Sequence, residues 1–102
     1  MRLILTTTIL ALAMTGSAMA DAAAGKAVYM AKCKMCHGPN GEGVAAIAKM
    51  KGVTMKPLAT AVKGKSDADL TKDITQGVGK MQAVKLSDAD VKDVIAFVRT
   101  LN

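Results

Sequence analysis

Both thiols and the one imidazole of this 102-residue chain lie within five residues, Cys33-Lys34-Met35-Cys36-His37. The order is C-x-x-C-H. Two thiols at this spacing can reach the two vinyl groups on one edge of a haem, and the histidine that follows then lies under the iron. A chain built on this motif has to fold around a flat apolar disc. The other readings of the motif each lack something. A thioredoxin-like redox pair needs alternating strands and helices, and no strand pattern is present. A zinc site needs a fourth ligand. A plain Cys33–Cys36 disulfide leaves His37 without a role.

Residues 1–20 have the form of a cleaved secretory signal peptide. Arg2 is a short positive start, Leu3 to Met14 is mostly apolar, and Ala18-Met19-Ala20 is a small-x-small cleavage site before Asp21. The apolar run is short for a membrane span. The mature domain is therefore expected to be 21–102, exported and soluble. Export agrees with the motif, because haem is attached to reduced thiols outside the bacterial cytoplasmic membrane.

About 82 residues then remain, with Tyr29 and Phe97 as the only aromatics. A domain this small usually needs a staple, whether disulfide, metal or cofactor. A covalently held haem meets that need. Without Arg2 the chain has thirteen Lys and Arg against eight Asp and Glu, a net of +5, which two haem propionates lower to about +3. The balance is moderately basic. With neither aromatic platforms nor a recognised module, it does not point to nucleic acid.

Helical signals account for most of the domain. Asp21 to about Lys34 is alanine-rich and begins with an acid at the positive helix end. Gly25 inside it weakens the helix by roughly 1 kcal/mol relative to Ala, which fits either a close approach or a tolerated surface position. Gly38-Pro39-Asn40-Gly41-Glu42-Gly43 is a loop. Residues 44–65 are harder to read, apart from a short turn expected at Pro57-Leu58. Ser66-Asp67-Ala68-Asp69 starts a helix to about Gln76, ended by Gly77. Residues 77–85 read as a flexible link carrying Met81. Ser87-Asp88-Ala89-Asp90 starts the last helix, to about Leu101, with Val91, Val94, Ile95, Val98 and Leu101 as its apolar stripe.

A haem iron bound by His37 has a second axial position. Methionine suits it, because a thioether favours the ferrous state. Met30, Met35, Met50, Met55 and Met81 are the candidates outside the first twenty residues. Met30 and Met35 lie too close to the attachment motif to cross easily to the other haem face.

The pattern resembles the small bacterial class I monohaem cytochromes c. The likeness begins at Gly25-Lys26-Ala27-Val28-Tyr29 and passes through Cys33-Lys34-Met35-Cys36-His37-Gly38 and a methionine in a glycine-containing link. It ends at Ile95-Ala96-Phe97-Val98-Arg99. It implies an all-α fold of three to four short helices wrapped around one covalent haem c. The first and last helices would cross, with Gly25 at the close approach and Phe97 and Tyr29 packed beside it. It implies Cys33 and Cys36 as thioether anchors, and His37 and Met81 as iron ligands. A proline carbonyl, best matched by Pro57, would orient the His37 ring. In the family a proline usually follows the ligand methionine; here Gln82 stands instead.

The function implied is that of a monomeric periplasmic electron carrier without catalytic activity of its own. It would shuttle between redox partner proteins, including membrane respiratory complexes. Lys34, Lys49, Lys51, Lys56, Lys80 and Lys85 could steer partners with acidic docking surfaces, or simply be a solvated face. Two other roles remain open: a gas-binding or sensing protein with a labile sixth ligand, and an electron-entry subunit of a larger redox enzyme.

Overall fold

A computed structural model describes residues 20–102; the expected signal peptide lies almost wholly outside them. The described residues form six helical segments: α1 (Ala22–Lys32), α2 (Lys34–His37), α3 (Ala45–Lys51), α4 (Leu58–Ala61), α5 (Asp67–Gln76) and α6 (Asp88–Val98). Four have seven residues or more, and α2 and α4 are single turns. The fold is all-α.

The helix starts follow their capping chemistry. The Asp21 carboxylate accepts from the Ala23 and Ala24 amides at 2.9 and 3.2 Å. The hydroxyls of Ser66 and Ser87 accept from the Asp69 and Asp90 amides at 3.1 and 3.2 Å, the N-cap-to-third-residue bond that satisfies one orphan donor. Several ends differ from expectation. The first helix stops at Lys32 rather than Lys34, with Cys33 as its C-cap at φ −115° and ψ −30°. A new turn then starts on the Cys33 carbonyl, which accepts from Cys36 and His37 at 3.3 and 3.0 Å. The last helix stops at Val98, and its end tightens into Thr100-to-Phe97 and Leu101-to-Val98 bonds. Pro57 stands just before α4 as its cap, not inside it. Helix α3 is an addition to the sequence reading. It ends at Gly52, which adopts φ +65°.

The core is the crossing of α1 and α6. A Cβ on Gly25 would lie 1.9 Å from the Asp93 carbonyl oxygen and 2.9 Å from the Val94 nitrogen. Here one helix backbone rests directly on the other, and no side chain fits between. Around this point Tyr29, Val91, Val94, Ile95, Phe97 and Val98 are buried. The rings of Tyr29 and Phe97 pack with centroids 5.1 Å apart at 53°, a tilted geometry that aromatic pairs favour. Each buried Val or Ile contributes roughly 1.5–3 kcal/mol relative to leaving it exposed. Helix α5 adds Leu70 to this core, and the end of α4 adds Val62. Arg99 binds the Asp67 carboxylate at 2.6 Å and the Lys65 carbonyl at 2.8 Å, tying the end of α6 to the start of α5. No helix among the described residues is long and apolar enough to cross a membrane.

Candidate cofactor site

The segment after α1 doubles back on itself. Gly43 donates its amide to the His37 carbonyl at 2.7 Å, and Val44 donates to the Cys36 carbonyl at 3.0 Å. Leu58 in turn donates to the Gly41 carbonyl at 2.8 Å. The buried Tyr29 hydroxyl donates to the Gly38 carbonyl at 2.5 Å. The loop 38–43 is thus held from both sides, and His37 has little freedom to move. Burial pushes the Tyr29 phenol up to about 12.

Cys33, Cys36 and His37 face a cleft of about 510 Å³, whose lining includes Lys51, Val53, Met55, Val78, Met81 and Val84. A second lobe of about 370 Å³ shares Cys33, His37, Met55, Val78 and Met81, and reaches the core at Tyr29, Leu70, Val94 and Val98. The lining is mostly apolar, with Lys32, Lys51, Lys80 and Lys85 along one lobe and Lys56 and Lys65 along the other. Burial lowers the pKa of the His37 imidazole, which favours the neutral form that ligates metals. Burial, and secondly the neighbouring Cys36, push the Cys33 thiol up.

The five methionine candidates separate. Met81 and Met55 line the cleft; Met30 packs against the core. Met35 and Met50 are 79% and 74% exposed. Met55 sits against Gly43, with its sulfur 3.8 Å from where a Cβ there would be. It therefore belongs to the wall that carries His37. Met81 arrives on a different segment. That segment is not the flexible link expected. Val78 and Met81 exchange both backbone hydrogen bonds, at 3.1 and 2.9 Å, and Val84 donates to the Ile74 carbonyl at 2.7 Å.

Pro57 and His37 share no hydrogen bond in this structure. The Pro57 carbonyl accepts from the Thr60 and Ala61 amides at 3.0 and 2.9 Å as the first acceptor of α4. The buried His37 Nδ1 has no hydrogen-bond partner. Of the lysines expected around the site, Lys51, Lys56, Lys80 and Lys85 line it, whereas Lys34 and Lys49 do not. Lys32, Lys65, Val53, Val78 and Val84 are lining residues that the sequence reading did not single out. Lys32 is the most legible of these, since it directly precedes Cys33.

An apolar cleft that brings together two thiols, one neutral imidazole and a thioether fits a metal-bearing apolar disc. The donors are those that haem uses, and His37 is fixed by its neighbours. Residues 22–102 match the family described as Cytochrome c, and the chain belongs to that family. It binds haem c, covalently attached and containing iron, and its activity is electron transfer. The chain is 32% identical to cytochrome c-554(547) of Halothiobacillus neapolitanus over 88 residues, 79% of this chain and 97% of that protein. It is 33% identical to cytochrome c6 of Picosynechococcus sp. over 84 residues, covering 78% and 72% of the two chains. Among solved structures it is similar to the KustC0563 c-type cytochrome, with a TM-score of 0.62 and 26% identity over 74% of this chain and 94% of that one. Cytochrome c6 from the diatom Phaeodactylum tricornutum gives a TM-score of 0.57 and 26% identity, over 76% of this chain and 90% of that one. As a member of this family the chain exchanges electrons with redox partner proteins.

Proposed function

We propose that this chain is an exported, soluble, monohaem electron carrier of the bacterial periplasm, in which Cys33 and Cys36 anchor the haem and His37 and Met81 are the axial ligands. The observation that carries this reading is that all four side chains line one cleft. When bound, the haem supplies one-electron exchange between ferric and ferrous iron. The chain's own task is to hold that centre still and to exclude other chemistry. His37 is held by the backbone bonds that flank it, and Met81 by its hairpin. With His37 and Met81 both holding it, the iron would be closed to a substrate, and the chain alone would have no catalytic role on this reading. Its mature form starts at Asp21 and acts as a monomer.

Lys32, Lys51, Lys80 and Lys85 border the cleft beside Val78, which is 48% exposed. A basic rim with an apolar patch suits brief encounters with partners that present acidic surfaces, including membrane respiratory complexes. Association rates with such a partner should fall as salt rises.

The test of the whole reading is made on protein purified from the periplasm. Mass spectrometry should find a chain starting at Asp21 with one haem added, and titration should give one reversible one-electron step. Carbon monoxide should leave the reduced spectrum unchanged. A spectrum that shifts with carbon monoxide would replace the carrier with a gas-binding protein.

A further inference from the structure

The segment 77–84 contains no proline, so a proline ring is not what holds Met81 in place. The structure shows a backbone closure there. Val78 and Met81 exchange two backbone hydrogen bonds across a two-residue turn, Gly79-Lys80. Gly79 has φ +55°, while Lys80 keeps a negative φ, the arrangement of hairpin turns whose first central residue is glycine. Behind the turn, Gly77 is pressed against the returning strand: a Cβ there would lie 2.8 Å from the Met81 carbonyl oxygen and 3.0 Å from the Ala83 nitrogen. The Lys51 ammonium reaches the Lys80 carbonyl at 3.5 Å from the end of α3. Val84 closes the far side onto Ile74.

We infer that Gly79 is a positioning residue for Met81: the turn it opens sets the thioether at the cleft and resists its displacement. The inference rests on Met81 as the sixth ligand. The space around Gly79 makes it a clean probe, since a Cβ there would meet nothing within 4 Å. Replacing Gly79 with alanine therefore tests only the backbone angle, which L-residues rarely adopt. Gly64 is the matched control. It has φ +77°, its Cβ position is also open, and it lies away from the hairpin between α4 and α5.

The experiment measures the affinity of imidazole, which competes with Met81 for the iron, in the oxidised haem-loaded protein. Gly79→Ala should tighten imidazole binding roughly 5–30-fold, the factor that one or two kcal/mol of backbone strain represents. Gly64→Ala should lower thermal stability by a similar amount and leave imidazole affinity unchanged. Met81→Ala should bind imidazole most tightly of all. If Gly79→Ala and Gly64→Ala alter imidazole affinity alike, or neither alters it, while Met81→Ala still tightens it, the positioning inference is wrong and the ligation stands. If Met81→Ala binds imidazole no tighter than the unsubstituted protein, the ligation itself is wrong.

Discussion

The α1–α6 crossing and the region from α3 to the Met81 hairpin are built on different terms. At the crossing, Gly25 rests on the Asp93 backbone and six of the eight buried core side chains come from these two helices. Helix α3 has no buried residue at all, and outside α5 the stretch 44–84 contributes only Val62 to the core. Its apolar side chains Val53, Met55, Val78 and Val84 face the cleft instead. One half of the molecule packs against itself. The other half presents an apolar wall whose packing partner, on the proposed reading, is the haem. The covalent motif lies at the seam, so the attachment of the cofactor is also the closure of the fold.

The largest expected effect sharpens this contrast. A chain with Cys33→Ser and Cys36→Ser, which cannot tether haem, should lose most of its far-ultraviolet helical signal, because the crossing alone is too small a core to hold about 82 residues. A native-like circular dichroism spectrum from that chain would break the contrast. Next in size is Gly25→Ala. Its new methyl collides with the α6 backbone at Asp93 and Val94, and unfolding by denaturant should show a loss of roughly 3 kcal/mol. Gly52→Ala at the end of α3, where a Cβ meets nothing within 4 Å, should show only the backbone term of about 1 kcal/mol.

Tyr29→Phe removes the buried donor from the Gly38 carbonyl, and should cost about 1–2 kcal/mol. It should also change the response to alkali. Burial raises the phenol from its ordinary value of 10.0 to about 12, so the folded state keeps its proton longer than the unfolded state does. The stability this gives is intact below pH 10 and is lost as pH rises toward 12, by up to roughly 2–3 kcal/mol. The difference between the native protein and Tyr29→Phe, followed by thermal melting across that range, isolates the effect. The smallest effect is expected from Arg99→Ala. The exposed bond to Asp67 is worth no more than about 1 kcal/mol, so the melting temperature should move little and the shift should shrink in high salt.

The same contrast governs what the sequence makes legible. Helices α1, α5 and α6 announce themselves through Asp21, Ser66 and Ser87 as caps and through the Val91-Val94-Ile95-Val98 stripe. These signals are local and belong to the half that packs on itself. The cleft wall has no such signal. Val53, Val78 and Val84 look like scattered valines in loops, because the surface they pack against is not in the chain. Helix α3 carries no clear signal for the same reason: its residues are not buried in a protein core. Residues 77–85 looked flexible because two glycines bracket Val78, whereas the Val78–Met81 pairing depends on a turn that Gly79 makes possible. Pro57 lay near His37 by family analogy, but its carbonyl starts the ladder of α4. Composition does not reveal that role for the carbonyl.

The central claim is that the iron is held between His37 and Met81. The far-red absorption of the oxidised protein tests it most directly, with Met81→Ala and Met55→Ala measured alongside. The account predicts a weak sulfur-to-iron charge-transfer band in the native protein, kept in Met55→Ala and absent in Met81→Ala. A band that survives in Met81→Ala and disappears in Met55→Ala would move the ligand to the other wall of the cleft and contradict the account.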